Sequence, residues 1–172
     1  MNTMHDTVRI EKLTINFGAG KDQAKLEKGA ALIQALSGIK PVRVMTKKRI
    51  PAWGLRPGLP VGAKLTLRGS SAETMLKRTL TARDFKLPPS TLDNKGNLSF
   101  GLKEYLEIEG AQYDPAIGIL GLQISVTISK PGSRVKHRAI RTKTIGKRQA
   151  VTREEARAFL TQRFKLSFGE TS

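Results

Sequence analysis

Lysine and arginine are concentrated in one stretch of the chain, residues 28–72, which contains no Asp or Glu. Cations placed in this way bind polyanions, because each one releases counterions from a phosphate backbone. A proline- and glycine-rich loop over residues 46–60 holds the single Trp53, whose ring suits stacking on a base or packing on a ribose. The alternative is that Trp53 folds back and anchors its own loop. The nine cations of the stretch are Lys28, Lys40, Arg43, Lys47, Lys48, Arg49, Arg56, Lys64 and Arg68.

A second acid-free tract runs from residue 130 to residue 148 and begins with Lys130-Pro131-Gly132, which predicts a long basic loop or hairpin. The whole chain has 31 Lys and Arg against 14 Asp and Glu, a formal charge of +17. Nucleic acid is therefore the leading partner. The candidate binding residues of this second basic loop are Arg134, Lys136, His137, Arg138 and Arg141.

Groups that could catalyse a reaction are few. Glu104, Glu107 and Glu109 could pair for acid–base work, but we interpret them as solvated edge residues, since spacing alone does not perturb a pKa. The two histidines are His5, near a terminus, and His137, in the basic tract, where no Asp or Glu lies between Pro115 and Arg153 to orient it. The absence of cysteine excludes disulfides, thiolate zinc sites and cysteine nucleophiles. We expect no enzyme activity, no metal and no cofactor.

The segment Gly18-Ala-Gly20-Lys21 lies between a predicted strand and a predicted helix, as a phosphate-binding loop would. The full motif fails at two positions, where Ile15 replaces a glycine and Asp22 replaces Ser or Thr. We still expect these glycines to form a small anion-binding nest for an RNA phosphate.

The spacing of apolar residues predicts an α+β fold, a two-layer sandwich in which helices cover one face of a mostly antiparallel sheet. A length of 172 residues predicts a single domain, residues 1–172. Val8 and Ile10 fall on the opposite parity to Leu13, Ile15 and Phe17, so the first strand is predicted either to begin near Lys12 or to carry a bulge there. Further strands are predicted over residues 42–44, 63–68, 98–102 and 120–128. Helices are predicted after Asp22, after a capping box at residues 70–73 and after another at residues 152–155.

The other face of this sheet is predicted to be open, polar and free of acid. A merely solvated face would normally mix acidic with basic residues, so hydroxyls, amides and cations favour contacts with sugar and phosphate. The alternative interpretation is an ordinary solvated face. The predicted face comprises Thr14, Asn16, Arg43, Lys64, Thr66, Arg68, Ser99, Lys103, Gln123, Ser125 and Thr127.

Two other function classes stay open on the residues alone: an RNA-modifying or nucleotide-dependent enzyme using the same surface, and a DNA-binding architectural protein. The sheet face suits ribose hydroxyls and favours RNA. No apolar run approaches the ~18 residues of a membrane span, and the N-terminus lacks a signal-peptide core. We expect a soluble, cytoplasmic protein that does not bind a membrane.

Three segments in order, residues 10–20 (IEKLTINFGAG), 37–69 (SGIKPVRVMTKKRIPAWGLRPGLPVGAKLTLRG) and 93–127, resemble the universal large-ribosomal-subunit protein five family, which binds 5S ribosomal RNA. The resemblance covers most of the chain. The DPAIGI segment and the long basic KPGSRVKHR insertion are similar to the archaeal and eukaryotic branch.

The resemblance implies a two-layer α/β sandwich whose open sheet face holds 5S RNA in the central protuberance, without a chemical step. Asn16 and Thr66 match RNA-contacting residues of the family, whereas Ile39 stands where many members have a Gln that reaches RNA. The resemblance adds Lys40, Lys64 and Arg68 as phosphate partners, and with Thr14 and Arg43 of the predicted sheet face the candidate 5S-binding set is Thr14, Asn16, Lys40, Arg43, Lys64, Thr66 and Arg68. The resemblance also implies that the loop over residues 46–60 faces peptidyl-site transfer RNA with Lys47, Lys48, Arg49 and Trp53, to which the charge of the loop adds Arg56. Further implied partners are large-subunit rRNA, neighbouring proteins of the central protuberance and a bridge contact with the small subunit.

Overall fold

A computed structural model describes residues 7–146 and 149–169. His5 and the 147–148 part of the second basic tract therefore lie outside the described residues. The strands are β1 (Arg9–Gly18), β2 (Val42–Met45), β3 (Pro60–Leu67), β4 (Lys86–Leu87), β5 (Leu98–Leu102), β6 (Leu122–Ser129) and β7 (Ser167–Phe168). The helices are α1 (Gln23–Ser37), α2 (Gly69–Thr81) and α3 (Arg153–Phe164), and short 3-10 turns cover Pro51–Trp53, Pro89–Thr91, Tyr105–Glu107 and Ser133–Lys136.

Five strands form one sheet in the order β2-β3-β1-β6-β5, and β4 pairs with β7 in a small parallel ladder. The fold is α+β with a mostly antiparallel sheet, as the apolar spacing predicts. Strand β6, which shows the clearest alternation of apolar and polar residues, lies inside the sheet between β1 and β5, as predicted. No helix in the described parts of the chain combines the length and apolarity that a membrane crossing needs.

The chain divides into two compact units. Unit 1 comprises the residues up to Leu13, Arg68–Ser99 and Val126–Ser172, and unit 2 comprises Thr14–Leu67 and Phe100–Ser125. The single-domain expectation stays a prediction. Nearly all residues predicted to bind RNA through the sheet belong to unit 2.

In unit 2, helix α1 begins and ends where its sequence predicts. The Asp22 carboxylate accepts a hydrogen bond from the amide of Lys25 at 3.1 Å, and Gly38 ends the helix at φ 72°. Gly29 lies directly against the ring of Phe17 on β1, so that a Cβ atom at this position would overlap the ring. The helix thereby covers the apolar face formed by the second half of β1 and by β3.

Strand β1 begins at Arg9, earlier than the predicted start near Lys12. Ile10 and Leu13 are both buried although they are three residues apart, and burial then alternates from Leu13 to Phe17. The change of side occurs within the strand. The change in spacing between Ile10 and Leu13 therefore reflects an irregularity within β1, and it does not mark the first residue of the strand.

In unit 1, the predicted capping box at residues 152–155 is confirmed: the Thr152 hydroxyl accepts from the Glu155 amide, and the Glu155 carboxylate accepts from the Thr152 amide. The box predicted at residues 70–73 is wrong. Helix α2 starts at residue 69 without a side-chain cap, and Glu73 instead accepts two hydrogen bonds from Arg163 of α3, at 2.8 and 3.0 Å. A carboxylate engaged by an arginine in this way is not free to reach back to its own helix terminus.

Candidate nucleic-acid interface

Strands β1 and β3 run side by side in opposite directions. The amides of Ala19 and Gly20, just after β1, donate to the carbonyl of Val61, near the start of β3, at 2.9 and 3.2 Å. In an antiparallel pair, the residue three positions before Ala19 lies at about the level of the residue three positions after Val61. Asn16 and Lys64 are therefore neighbours across the two strands. Backbone hydrogen bonding alone thus brings together polar residues that are far apart in the chain.

The outward face of these two strands is polar. Lys64 and Thr66 are exposed, and Thr14 and Asn16 are half-buried, while the alternating residues of both strands are buried in the core. We call Thr14, Asn16, Lys64 and Thr66 the β1–β3 polar patch. Strand β6, on the other side of β1, continues this face in unit 2 with exposed Gln123 and half-buried Ser125.

Other predicted face residues lie near the ends of β5 and β6. In unit 1, Ser99 of β5 is exposed and Thr127 of β6 is half-buried. In unit 2, Lys103, which directly follows β5, is exposed. These positions agree with the predicted alternation along their strands.

The prediction that Arg43 lies on the open face is wrong. Strands β2 and β3 pair antiparallel with Arg43 opposite the buried Ala63 and Val42 opposite the exposed Lys64. Directly opposed residues share one face of a sheet, so Arg43 lies on the side of α1. There its guanidinium is 4.0 Å from the carboxylate of Glu27, a residue of α1.

The open face receives Val42 in place of Arg43. Its side chain is 63% exposed, because β2 is the edge strand of the sheet. The alternation of valine and arginine correctly predicted a strand but assigned the two residue types to the wrong faces. A period of two carries no information about which side is outward when both sides are partly exposed.

Lys40 does not join the polar patch directly. It is exposed and, with Glu27 and Arg43, lines an open hollow of about 560 Å³ beside α1. The structure thus places Lys40 and Arg43 with an acidic neighbour that the sequence prediction did not include.

The basic loop between β2 and β3 is held by its own backbone. The amide and hydroxyl of Thr46 donate to the carbonyl of Leu59 at 2.8 and 2.9 Å, and the Gly58 amide donates to the carbonyl of Thr46 at 2.9 Å. Nearer its tip, Ile50 and Leu55 exchange two hydrogen bonds across the 3-10 turn. The loop is therefore shaped without being regular, as its prolines and glycines predict.

Leu55, and not Trp53, anchors this loop. Leu55 is 7% exposed, whereas the Trp53 side chain is 68% exposed. The alternative in which Trp53 folds back is therefore wrong, and its ring is accessible for stacking. The loop cations Lys47, Lys48, Arg49 and Arg56 are also exposed, and within the described residues no ion pair involves any of them.

Lys21 is a neighbour of this loop that the sequence prediction missed. Its aliphatic chain passes about 3.6 Å from where a Cβ of Gly54 would lie, at the turn of the loop. The contact joins two segments of unit 2 that are far apart in sequence. No local signal in the sequence indicates it.

Arg68 lies in unit 1, at the residue that precedes α2, and points toward β1. Its guanidinium donates to the backbone carbonyl of Glu11 at 3.2 Å and lies 3.9 Å from the carboxylate of the same residue. The side chain is still 62% exposed. Arg68 therefore has an acidic neighbour. The prediction that the open sheet face is free of acidic residues does not hold beside this residue.

The second basic loop, also in unit 1, folds on itself. The Arg138 side chain donates to the carbonyl of Arg141 at 2.8 Å, and the Thr142 hydroxyl donates to the carbonyl of Arg138 at 2.6 Å. All of its predicted binding residues are exposed: Arg134, Lys136, His137, Arg138 and Arg141.

The expected anion-binding nest at Gly18-Ala-Gly20 does not form. The Ala19 and Gly20 amides that it requires already donate to the carbonyl of Val61. Among residues 7–146 and 149–169, no three His, Asp or Glu side chains come together as a metal site would require. Glu104, Glu107 and Glu109 are all exposed, as solvated edge residues would be.

Comparison with known proteins provides the family. Residues 2–56 match the family model described as ribosomal protein L5, and residues 60–168 match the model that describes the C-terminus of the same ribosomal family. The proteins called large ribosomal subunit protein uL5 are similar over nearly the whole chain. That of Sulfurisphaera tokodaii is 42% identical, covering 95% of this chain and 93% of its own. That of Methanosphaera stadtmanae is 39% identical over 97% and 99%. That of Nanoarchaeum equitans is 44% identical over 86% and 88%. The chain therefore belongs to the ribosomal protein L5 family.

Proposed function

We propose that this protein binds 5S rRNA in the central protuberance of the large ribosomal subunit. As a member of the ribosomal protein L5 family, it is a structural protein of the ribosome in the cytoplasm and performs no chemical step. The family resemblance supplies the RNA partner of the proposal, and the geometry of unit 2 supplies the surface. Large-subunit rRNA and neighbouring ribosomal proteins complete the proposed surroundings.

The observation that carries this proposal is the β1–β3 polar patch. Its hydroxyl and amide groups, at Thr14, Asn16 and Thr66, can form hydrogen bonds with ribose and phosphate, and Lys64 adds a cation without an ion-pair partner among the described residues. The core side chains on the opposite face fix the positions of these strands, so the patch is preorganised for binding. A preorganised surface loses little conformational entropy when it binds.

We further propose that the loop over residues 46–60 contacts transfer RNA in the peptidyl site. Its backbone hydrogen bonds hold the shape, Leu55 anchors it, and the exposed Trp53 offers a stacking surface on a loop of exposed cations. Stacking tolerates different bases, which suits a surface that meets many transfer RNAs.

A competition filter-binding assay tests the 5S proposal. Labelled 5S rRNA is bound at physiological salt and challenged with excess unlabelled 5S rRNA, transfer RNA, duplex RNA or duplex DNA of equal length. We expect unlabelled 5S rRNA to compete far better than the rest. Equal competition by all four would mean that the +17 charge explains the binding, as for an architectural nucleic-acid-binding protein.

A further inference from the structure

The second basic loop of unit 1 carries a dense charge that the proposed function leaves unassigned. Residues 134–143 hold five Lys or Arg and no acidic residue, and within the described residues no ion pair involves any of the five. Cations this close together repel one another, and a bound polyanion relieves the repulsion. The five are Arg134, Lys136, Arg138, Arg141 and Lys143.

Both ends of this loop are fixed to the folded part of unit 1. Where the chain enters, Lys130 is buried and its ammonium group donates to the Glu155 carboxylate of α3 at 2.8 Å. Where the chain leaves, the Gln149 side chain donates to the carbonyl of Pro131 at 2.8 Å, and Val151 is buried. The loop therefore projects from a firm base, and its residues 136–144 are all exposed.

Two side-chain hydrogen bonds shape the outermost part of the loop, residues 138–142, which we call the tip turn. The Arg138 guanidinium donates to the carbonyl of Arg141, and the Thr142 hydroxyl donates to the carbonyl of Arg138. Arg141 lies in the left-handed region at φ 54°, which is uncommon for a residue with a side chain. Backbone angles of this kind persist where surrounding contacts enforce them, and they concentrate at sites that bind ligands.

Ile140 lies in the middle of the tip turn with its side chain in solvent. It is 78% exposed, more than any other large hydrophobic side chain in the described parts of the chain. An aliphatic group among phosphate-binding cations suits RNA, because the face of an unstacked base is apolar. A regular RNA duplex offers no such face, since its bases are stacked and its major groove is too narrow for side chains.

We propose that the tip turn binds an rRNA strand at an unpaired nucleotide. Arg141 and Lys143 contact phosphates beside this nucleotide, and Ile140 packs on the base that has left its stack. A protein partner would need a dense acidic surface to accept the five cations of the loop, whereas RNA supplies a charge at every nucleotide. The inference rests on the proposed role in the ribosome, and it adds a contact with large-subunit rRNA in unit 1.

Fluorescence titration of the full chain with two RNA hairpins tests this proposal. The hairpins share one stem sequence and contain a single 2-aminopurine, which is bulged in one hairpin and paired in the other. This base fluoresces strongly only when it is unstacked. We expect about 5-fold tighter binding of the bulged hairpin, as for burial of one or two methylene-sized groups, and a saturable rise in its fluorescence.

Two variants separate the apolar contact from the charge. Ile140→Ala leaves the charge unchanged and should remove most of the preference for the bulged hairpin. Lys143→Ala should weaken both hairpins alike and lower the slope of log affinity against log salt concentration by roughly 0.7 to 0.9. The matched control Ile119→Ala removes an aliphatic side chain that is 60% exposed in unit 2, and it should change nothing. All three residues are exposed, so the fold should be retained.

Three results would overturn the proposal. Equal affinity of the unmodified protein for the two hairpins would mean that the loop acts through charge alone. Full preference for the bulge in Ile140→Ala would leave the exposed side chain for a protein contact. An unchanged salt slope in Lys143→Ala would exclude the phosphate contact.

The hairpin assay is independent of the 5S proposal. The hairpins contain no 5S sequence, and Ile140→Ala should bind 5S rRNA as tightly as the unmodified protein in the filter assay. Loss of selectivity for 5S rRNA together with a retained preference for the bulge would overturn the 5S proposal alone. The opposite pair of results would overturn the role of the tip turn alone.

Discussion

Removal of the cations at the start of the β2–β3 loop should change how RNA binding depends on salt. The triple variant Lys47→Ala, Lys48→Ala, Arg49→Ala takes away three exposed charges that have no ion-pair partner within the described residues. The hydrogen bonds that shape the loop involve backbone groups and the Thr46 hydroxyl, so the loop should keep its conformation. The variant therefore tests charge without disturbing the fold.

The expected magnitude follows from counterion release. Each neutralised phosphate contributes roughly 0.7 to 0.9 to the slope of log affinity against log salt concentration. If all three side chains contact phosphates of transfer RNA, the slope should fall by about 2 to 3 in the variant. The affinity deficit of the variant should then shrink roughly 20- to 40-fold between about 50 and about 200 mM salt.

Filter binding over a salt series, with transfer RNA and 5S rRNA as separate ligands, measures these slopes. The slope for transfer RNA should fall by the stated amount, whereas the slope for 5S rRNA should change much less. A matched control, Lys25→Ala, Lys28→Ala, Lys77→Ala, removes the same charge from exposed helix positions. Equal slope changes in the two variants would show that total charge, and not the loop, governs binding, and a salt-independent deficit would refute the phosphate contacts themselves.

Three further outcomes are expected. Replacing Asn16 and Thr66 together by Ala should lower affinity for 5S rRNA by on the order of 10-fold in the filter assay and lower that for duplex RNA much less, because hydrogen bonds of the patch are lost. Equal losses for both RNAs would mean that the pair carries no specificity. Gly62→Ala should destabilise the fold by about 1 to 3 kcal/mol in urea unfolding, since its Cβ would lie 2.6 Å from a backbone carbonyl oxygen of β1. An unchanged unfolding midpoint would contradict the close approach. The hydrogen bond from Lys130 lowers the pKa of Glu155 below its ordinary value of 4.5. The resulting stabilisation is present above about pH 4.5 and is lost as the pH falls through the folded-state pKa, so Glu155→Gln should be less stable than the unmodified protein at about pH 7 and approach it in acid. A stability difference that did not vary with pH would refute this assignment.

Local sequence signals succeeded where the physical cause is itself local. Asp22 marks the start of α1 and Gly38 marks its end, because a cap requires only a side-chain acceptor or a left-handed backbone within one turn. The alternation along β6 identified a strand because burial on one face imposes a period of two. The capping box of α3 formed as predicted for the same reason.

Some failures had long-range causes. Glu73 does not cap α2 because Arg163, which lies 90 positions later, binds its carboxylate. Arg43 does not face outward because pairing with β3 sets its side of the sheet, and the alternation within a short edge strand is compatible with either side. Arg68 has Glu11 beside it through a contact across 57 positions.

The sequence by itself determined the charge of the protein, the kinds of elements, their approximate bounds and the family to which the chain belongs. These properties depend on residue types, local periodicity and the order of motifs. Only the tertiary structure decided which polar residues share a face, that Val42 and not Arg43 lies beside Lys64, and that Trp53 is accessible while Leu55 anchors the loop. Strand register and packing set these relations between distant residues, and neither can be read from spacing along the chain.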